Sequence, residues 1–187
     1  MKLLVISSYL DTWNSVRPEA EMLIELAKLG VHVELVTQPD IEYGKRFEEA
    51  GIKLHACPPA KKFELEAIRR IRGILKKGQF DAVYSFNNKA ITNANFAALG
   101  LPVKVLTYRG QTGNINRWDP SCYLTHLNPR VDRIVCVSKA TRDDLQNHVW
   151  GNKHKVCTVY KGHNLDWYQD KPVPLSEFGI PDGAFVV

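Results

Sequence analysis

The sequence predicts a doubly wound α/β fold, a mostly parallel sheet of about seven strands with helices on both faces. Two observations lead there: short apolar runs alternate with helical stretches along the whole chain, and the runs are apolar on both faces. Strands covered on both sides by crossover helices have that character.

The elements follow in order. KLLVISS opens as the first strand. A helix follows from about Pro18 to Leu29, with proline in its first turn, Ala20, Leu23, Leu26 and Ala27 on one face, and Gly30 as its stop. VHVELVT is the second strand, a short helix spans about Tyr43 to Ala50, and IKLHACP is the third strand. Phe63 to Lys77 reads as a strong helix, DAVYSFN as a strand, and Lys89 to Leu99 as an alanine-rich helix. VKVLTY, RIVCVS and KVCTVY complete the sheet, with a helix from about Lys139 to Val149 between the last two. The tail KGHNLDWYQDKPVPLSEF is polar and proline-rich, as a linker is. GIPDGAFVV then sets a turn and an apolar run that breaks off at Val187, which points to a fragment of a longer chain. The expected division is a Rossmann-like domain over 1–162, then a linker and the truncated start of a second domain over 163–187.

Composition narrows the function classes. At 187 residues the chain can bury a full core without a metal or disulfide. The four cysteines show no CxxC spacing and the six histidines form no Cys/His cluster, so no metal site is expected and a reducing compartment suits the chain. The apolar run Leu3–Ile6 is too short for a signal-peptide core, and the expected location is the cytoplasm. The formal charge of +5 could attract phosphate, an anionic membrane or nucleic acid. The basic residues are spread out and carry no nucleic-acid-binding signature, so nucleic acid is not an expected partner.

In open parallel sheets, ligands bind beyond the carboxyl ends of the strands. The segments at those ends are SSYLDTWNSVRPEA, NNKAITN, RGQTGNINRWDP and SKATRDD, which bring Arg17, Lys89, Arg109, Arg117 and Lys139 to one rim. Such a rim is an expected anion site. Plainer roles compete for several of these residues. Ser138 suits a helix N-cap, Lys139 a solvated first turn, Asp119 and Pro120 the start of a short helix over SCYLTHL, and Gly110 and Gly113 simple turns. No GxGxxG, GxxxxGK[ST] or GxSxG occurs, which argues against a Rossmann dehydrogenase, a P-loop nucleotidase and an α/β hydrolase. KKFELEAIRRIRGILKKG has an apolar stripe of Leu65, Ile68, Ile71 and Leu75 and a basic outer face. It reads as a sheet-covering helix; contact with an anionic membrane surface is the functional version.

The chain resembles the N-terminal half of a GT-B fold, specifically the family 4 retaining glycosyltransferases. The resemblance runs through KLLVIS, LAKLGVHVELVT, DAVYSFN, LPVKVLTYRG, VDRIVCVSKATRDDL and KVCTVYKGHNLDWY, and it covers nearly the whole length. It implies that this half binds the acceptor, a glycan or a lipid-linked sugar, whereas the nucleotide-sugar donor and the catalytic groups belong mainly to a second domain. The resemblance implies no required metal or cofactor and a fragment that is inactive alone; peripheral contact with an anionic membrane, at its inner face, stays an option through the basic helix. Substrate-binding residues are expected at Arg17, Asn87, Asn88, Arg109, Gly110, Gln111, Arg117, Ser138 and Lys139. The loop TWNSVRPEA departs from the paired glycines common in the family, and Arg109 stands where a histidine is common. Two other readings stay open: half of a non-hydrolysing sugar-nucleotide epimerase, and a non-catalytic module for anions or membrane surfaces.

Overall fold

A computed structural model describes residues 1–10, 16–167, 169, 171, 173–181 and 183–185. Among them, seven parallel strands form one sheet in the order β3-β2-β1-β4-β5-β6-β7, so the predicted class is correct. The strands are β1 (Lys2–Ile6), β2 (His32–Val36), β3 (Lys53–His55), β4 (Ala82–Ser85), β5 (Lys104–Arg109), β6 (Arg133–Cys136) and β7 (Val156–Thr158). The helices are α1 (Arg17–Lys28), α2 (Gly44–Glu49), α3 (Leu65–Gly78), α4 (Asn88–Ala97) and α5 (Lys139–Gln146).

The sheet separates two apolar layers. On one face Leu4, Ile6, Val83 and Val105 meet Ile71 and Leu75 of α3 and the alanines of α4. On the other, Leu3, Val5, Val33 and Leu35 meet Ala20, Leu23 and Ile24 of α1 with Phe47 of α2. Alternation along each strand sends neighbours to opposite layers, which is why these strands read as continuous apolar runs.

Local chemistry sets the boundaries. Pro18 sits in the first turn of α1, and Gly30 takes φ of +85° just past its end, where a side chain would be strained. Ser138 and Asn87 cap α5 and α4, their side-chain oxygens accepting the backbone N–H of Thr141 and Ala90. The short helix expected over SCYLTHL is a 3-10 turn at Pro120–Leu124, capped by Asp119. Two details differ from expectation. Leu65 lies outside the buried stripe of α3, where Ala67, Ile71 and Leu75 face the sheet. The buried face of α1 is centred on Ala20, Leu23 and Ile24, with Leu26 and Ala27 at its margin. Asp11 to Ser15, in the loop after β1, and Asp182, Val186 and Val187, in the expected start of a second domain, lie outside the described residues.

The basic face of α3 is partly occupied at home. Arg72 donates to the carbonyls of Ala97 and Leu99 at 2.8 and 2.6 Å, and Arg70 stands 3.5 Å from Glu66. This is the geometry of a helix that covers a sheet.

Candidate functional site

The strand order reverses direction between β1 and β4: connections from β1 run to one side and those from β4 to the other. Such a switch point leaves a crevice at the carboxyl ends. Here that crevice is a cleft of about 440 Å³. Ser7, Ser8 and Leu10 after β1, Gln38 after β2, and Pro58 and Pro59 after β3 form one wall. Asn87, Asn88 and Lys89 at the start of α4 form the other. A larger crevice of about 550 Å³ lies between α3 and the β2–β3 end of the sheet. It runs along the flank, and its Glu34 is already held by His55 at 2.6 Å and His32 at 3.1 Å. The switch-point cleft is therefore the candidate site.

Its lining suits a polyhydroxylated ligand. Serine hydroxyls and the amides of Gln38 and Asn88 both donate and accept, Lys89 adds one cation, and Leu10, Pro58 and Pro59 offer apolar surface. Asn87 lines the cleft but spends its side-chain oxygen on the N–H of Ala90, at 2.9 Å.

The other expected site residues do not gather at this point. Arg17 opens α1 with its guanidinium 4.7 Å from the centre of the Trp167 ring. Arg109 is 8% exposed and donates to the carbonyl of Gly113 in its own loop. Burial pulls its pKa below the ordinary value, against the opposing charge of Asp144. Asp144 in turn accepts the N–H of Gly113 at 3.1 Å. Gly113 (φ +73°) and Asn114 (φ +56°) turn the loop back, and at Gly110 a Cβ would meet the Tyr108 ring at 3.2 Å. Arg109 and the two glycines thus build the loop that holds Gln111 out in solvent. Arg117 stacks on Trp150, Ser138 caps α5, and Lys139 is exposed in its first turn.

His126 sits behind Arg109, with Nδ1 3.0 Å from the hydroxyl of Thr107. Burial, and then the charge of Arg109, push its pKa down to about 3, so it is neutral in the folded protein. A histidine that ionises more readily when unfolded favours the unfolded state as pH falls from its ordinary value toward its folded one. Acidification from about pH 6.5 to about pH 3 should therefore remove stability, at a rate of at most about 1.4 kcal/mol per pH unit from this group. Urea unfolding of His126→Asn across that window should show a shallower dependence; an identical slope would remove His126 as the cause.

Two features of the rim lie outside the expected site residues. Pro58 and Pro59 follow β3, whose place beside β2 brings them to the cleft; their only sequence signal was the loop-forming proline pair. The second is a buried ion pair. Glu19, 6% exposed, meets Lys161 at 2.6 Å, and the Lys161 ammonium lies 5.1 Å from the centre of the Tyr108 ring. Burial raises the Glu19 pKa, and Lys161 only partly offsets it. Together with Arg17 on Trp167, this pair straps the segment after β7 against the start of α1 and the end of β5. Among the described residues no group of three or more His, Cys, Asp or Glu side chains could hold a metal ion, and no helix is long and apolar enough to cross a membrane.

Comparison with known proteins agrees with this architecture. A glycosyltransferase from Rickettsia africae superposes with a TM-score of 0.70 at 17% identity, over 97% of this chain and 50% of that one. Anabaena HepE in complex with UDP-glucose gives 0.64 at 14% identity, over 95% and 48%. A protein named as a UDP-N-acetylglucosamine 2-epimerase from Listeria monocytogenes gives 0.54 at 13% identity, over 83% and 44%. The chain thus spans about half the length of these structures, and at such identities the likeness is one of fold. A sequence comparison with the curated proteins gave no match. The family model described as Glycosyltransferase Family 4 matches residues 20–167, from the first turn of α1 to the strap beyond β7, and on that match the chain belongs to Glycosyltransferase Family 4.

Proposed function

We propose that this chain is the acceptor-binding half of a retaining glycosyltransferase that moves a sugar from a nucleotide-sugar donor to a glycan or lipid-linked acceptor in the cytoplasm. The observation that carries this reading is the switch-point cleft, lined by serine hydroxyls, amides and proline rings, in a chain of this family. Hydroxyl and amide groups pair with sugar hydroxyls, and apolar side chains cover the C–H faces of a pyranose. In the transfer an acceptor hydroxyl forms a bond to the anomeric carbon as the bond to the nucleotide phosphate breaks. The nucleoside diphosphate carries away the electron pair and takes up the proton that the acceptor hydroxyl loses. The residues of this half hold and orient the acceptor. UDP-glucose bound to the Anabaena protein supports a nucleotide-sugar donor, gripped mainly by a second domain. Alone, the chain would not turn over, because orientation and charge stabilisation need both walls of the active site.

Asn88→Ala and Lys89→Met tests the cleft. In the full-length enzyme each should lower kcat/KM for the acceptor about tenfold, a loss of ~1.4 kcal/mol in transition-state binding, with unchanged donor KM. Unchanged acceptor kinetics in both variants would remove the cleft from the acceptor site. The epimerase reading keeps a place because of the Listeria likeness. It would be favoured by conversion of the nucleotide sugar without any added acceptor.

A further inference from the structure

The flank crevice of about 550 Å³, between α3 and the β2–β3 end of the sheet, has a lining that covering the sheet does not explain. One wall is a single face of α3: Gly73, Ile74 and Lys77 follow Arg70 by three, four and seven residues. Arg70 and Lys77 thus stand about 10 Å apart along the helix axis, with Gly73 and Ile74 between them. Lys53 and His55 face them from β3, at the edge of the sheet.

Gly73 is the feature that points to an occupant. Glycine weakens a helix interior, so one there calls for a packing or functional reason. At the end of α3 the reason is visible, because a Cβ on Gly78 would strike the Phe80 ring. At Gly73 nothing lies within 4 Å of the Cβ position, and its φ is not positive, so neither a neighbour nor a turn requires glycine. What it provides is bare backbone and room on the crevice wall. Charge sets the sign of the occupant. Glu34 at the floor accepts from His55 at 2.6 Å and from His32 at 3.1 Å, so its charge is met within the protein. Arg70 stands 3.7 Å from Glu64 and 3.5 Å from Glu66, loose pairs near the surface that leave its fork without a bidentate partner. Lys53 and Lys77 are exposed at the rim.

We infer that this crevice binds a small ring-bearing phosphate ester, its ring laid on Gly73 and Ile74 and its phosphate held by Lys53, Arg70 and Lys77. The long side chains of Arg70 and Lys77 reach over the gap that glycine leaves between them. Guanidinium and ammonium groups meet phosphate through charge-assisted hydrogen bonds, and a crevice of this volume is within the range of small-molecule sites. The site is separate from the switch-point cleft: Cys57 lines the crevice, and only its chain neighbour Pro58 reaches the cleft. It does not depend on the acceptor reading, since ligand binding is measured without turnover.

The test is equilibrium dialysis of the 187-residue chain against adenosine monophosphate, with iodoacetamide labelling of the half-buried Cys57 followed by peptide mass spectrometry. Adenosine monophosphate should bind and slow the alkylation of Cys57, whereas inorganic phosphate and adenosine should each compete about tenfold more weakly. Gly73→Leu should weaken binding about tenfold while raising the urea midpoint, because leucine fills the gap and favours the helix. Lys53→Gln with Lys77→Gln should weaken it about tenfold as well. Lys28→Gln, exposed on α1 across the sheet, should leave it unchanged. The inference would be overturned by absence of binding, by binding that leaves Cys57 alkylation unaltered, or by equal competition from inorganic phosphate or adenosine. Full binding or a lowered urea midpoint in Gly73→Leu, full binding in the double lysine variant, or loss in Lys28→Gln would overturn it too.

Discussion

Replacing Asn93 by alanine is expected to remove about 3 kcal/mol of unfolding free energy and to loosen one wall of the cleft. Asn93 is fully buried on α4. Its Oδ1 accepts the N–H of Glu64 at 3.0 Å, and its Nδ2 donates toward the carbonyls of Lys61, Lys62 and Lys89 at 3.0, 3.2 and 2.8 Å. Two amide protons shared among three carbonyls bind the segment before α3 to the first turn of α4. Alanine would leave these backbone groups short of partners, each costing ~1–3 kcal/mol where water cannot replace the amide. The segment so released runs directly on from Pro58 and Pro59, so that wall of the cleft should loosen as stability falls. Urea unfolding and limited proteolysis around residues 58–64 would measure both. A loss under about 1 kcal/mol with unchanged cleavage would show that the amide is replaceable.

Lys161→Met should cost a similar amount, about 3 kcal/mol at pH 7, because it leaves the Glu19 carboxylate buried without its partner. The lysine is the more accessible member, with a side chain 28% exposed against 7% for Glu19. Removing both charges, as Glu19→Leu with Lys161→Met, should restore much of the loss, since an apolar pair of similar volume avoids the desolvation of two ions. The sign of the pH dependence separates this account from simple loss of packing. Burial already raises the Glu19 pKa, and without Lys161 it rises further. A carboxyl that binds its proton more tightly in the folded state gains stability as pH falls through its folded pKa toward the unfolded one. The single variant should therefore recover part of its loss between pH 7 and pH 5, whereas the double variant should not. Parallel pH profiles for the two would refute the ion-pair explanation.

The sheet was legible in the sequence because its strands are buried on both faces and its helices are amphipathic; both patterns are local. The site was legible only in part. Asn87, Asn88 and Lys89 follow a strand directly, so the switch-point rule reached them. Arg109 ends a strand, but its guanidinium satisfies the carbonyl of Gly113 across a left-handed turn, and residue type alone does not say whether an arginine meets a ligand or its own loop. Ser8, Gln38 and Pro59 share one wall only because β2 and β3 lie beside β1, and strand order has no local signature. Glu19 and Lys161 stand near opposite ends of the chain; nothing within either segment marks the other as its partner.

The seam at the cleft has a further consequence. One wall is encoded by the loops after β1, β2 and β3 and the other by the start of α4, and the strands beneath them join through the β1–β4 backbone ladder. A ladder is indifferent to most side chains, so each wall can accumulate substitutions without disturbing the pairing that holds the other. Variation on the two sides is thereby separable, and one scaffold can reshape this cleft by changing a single wall at a time.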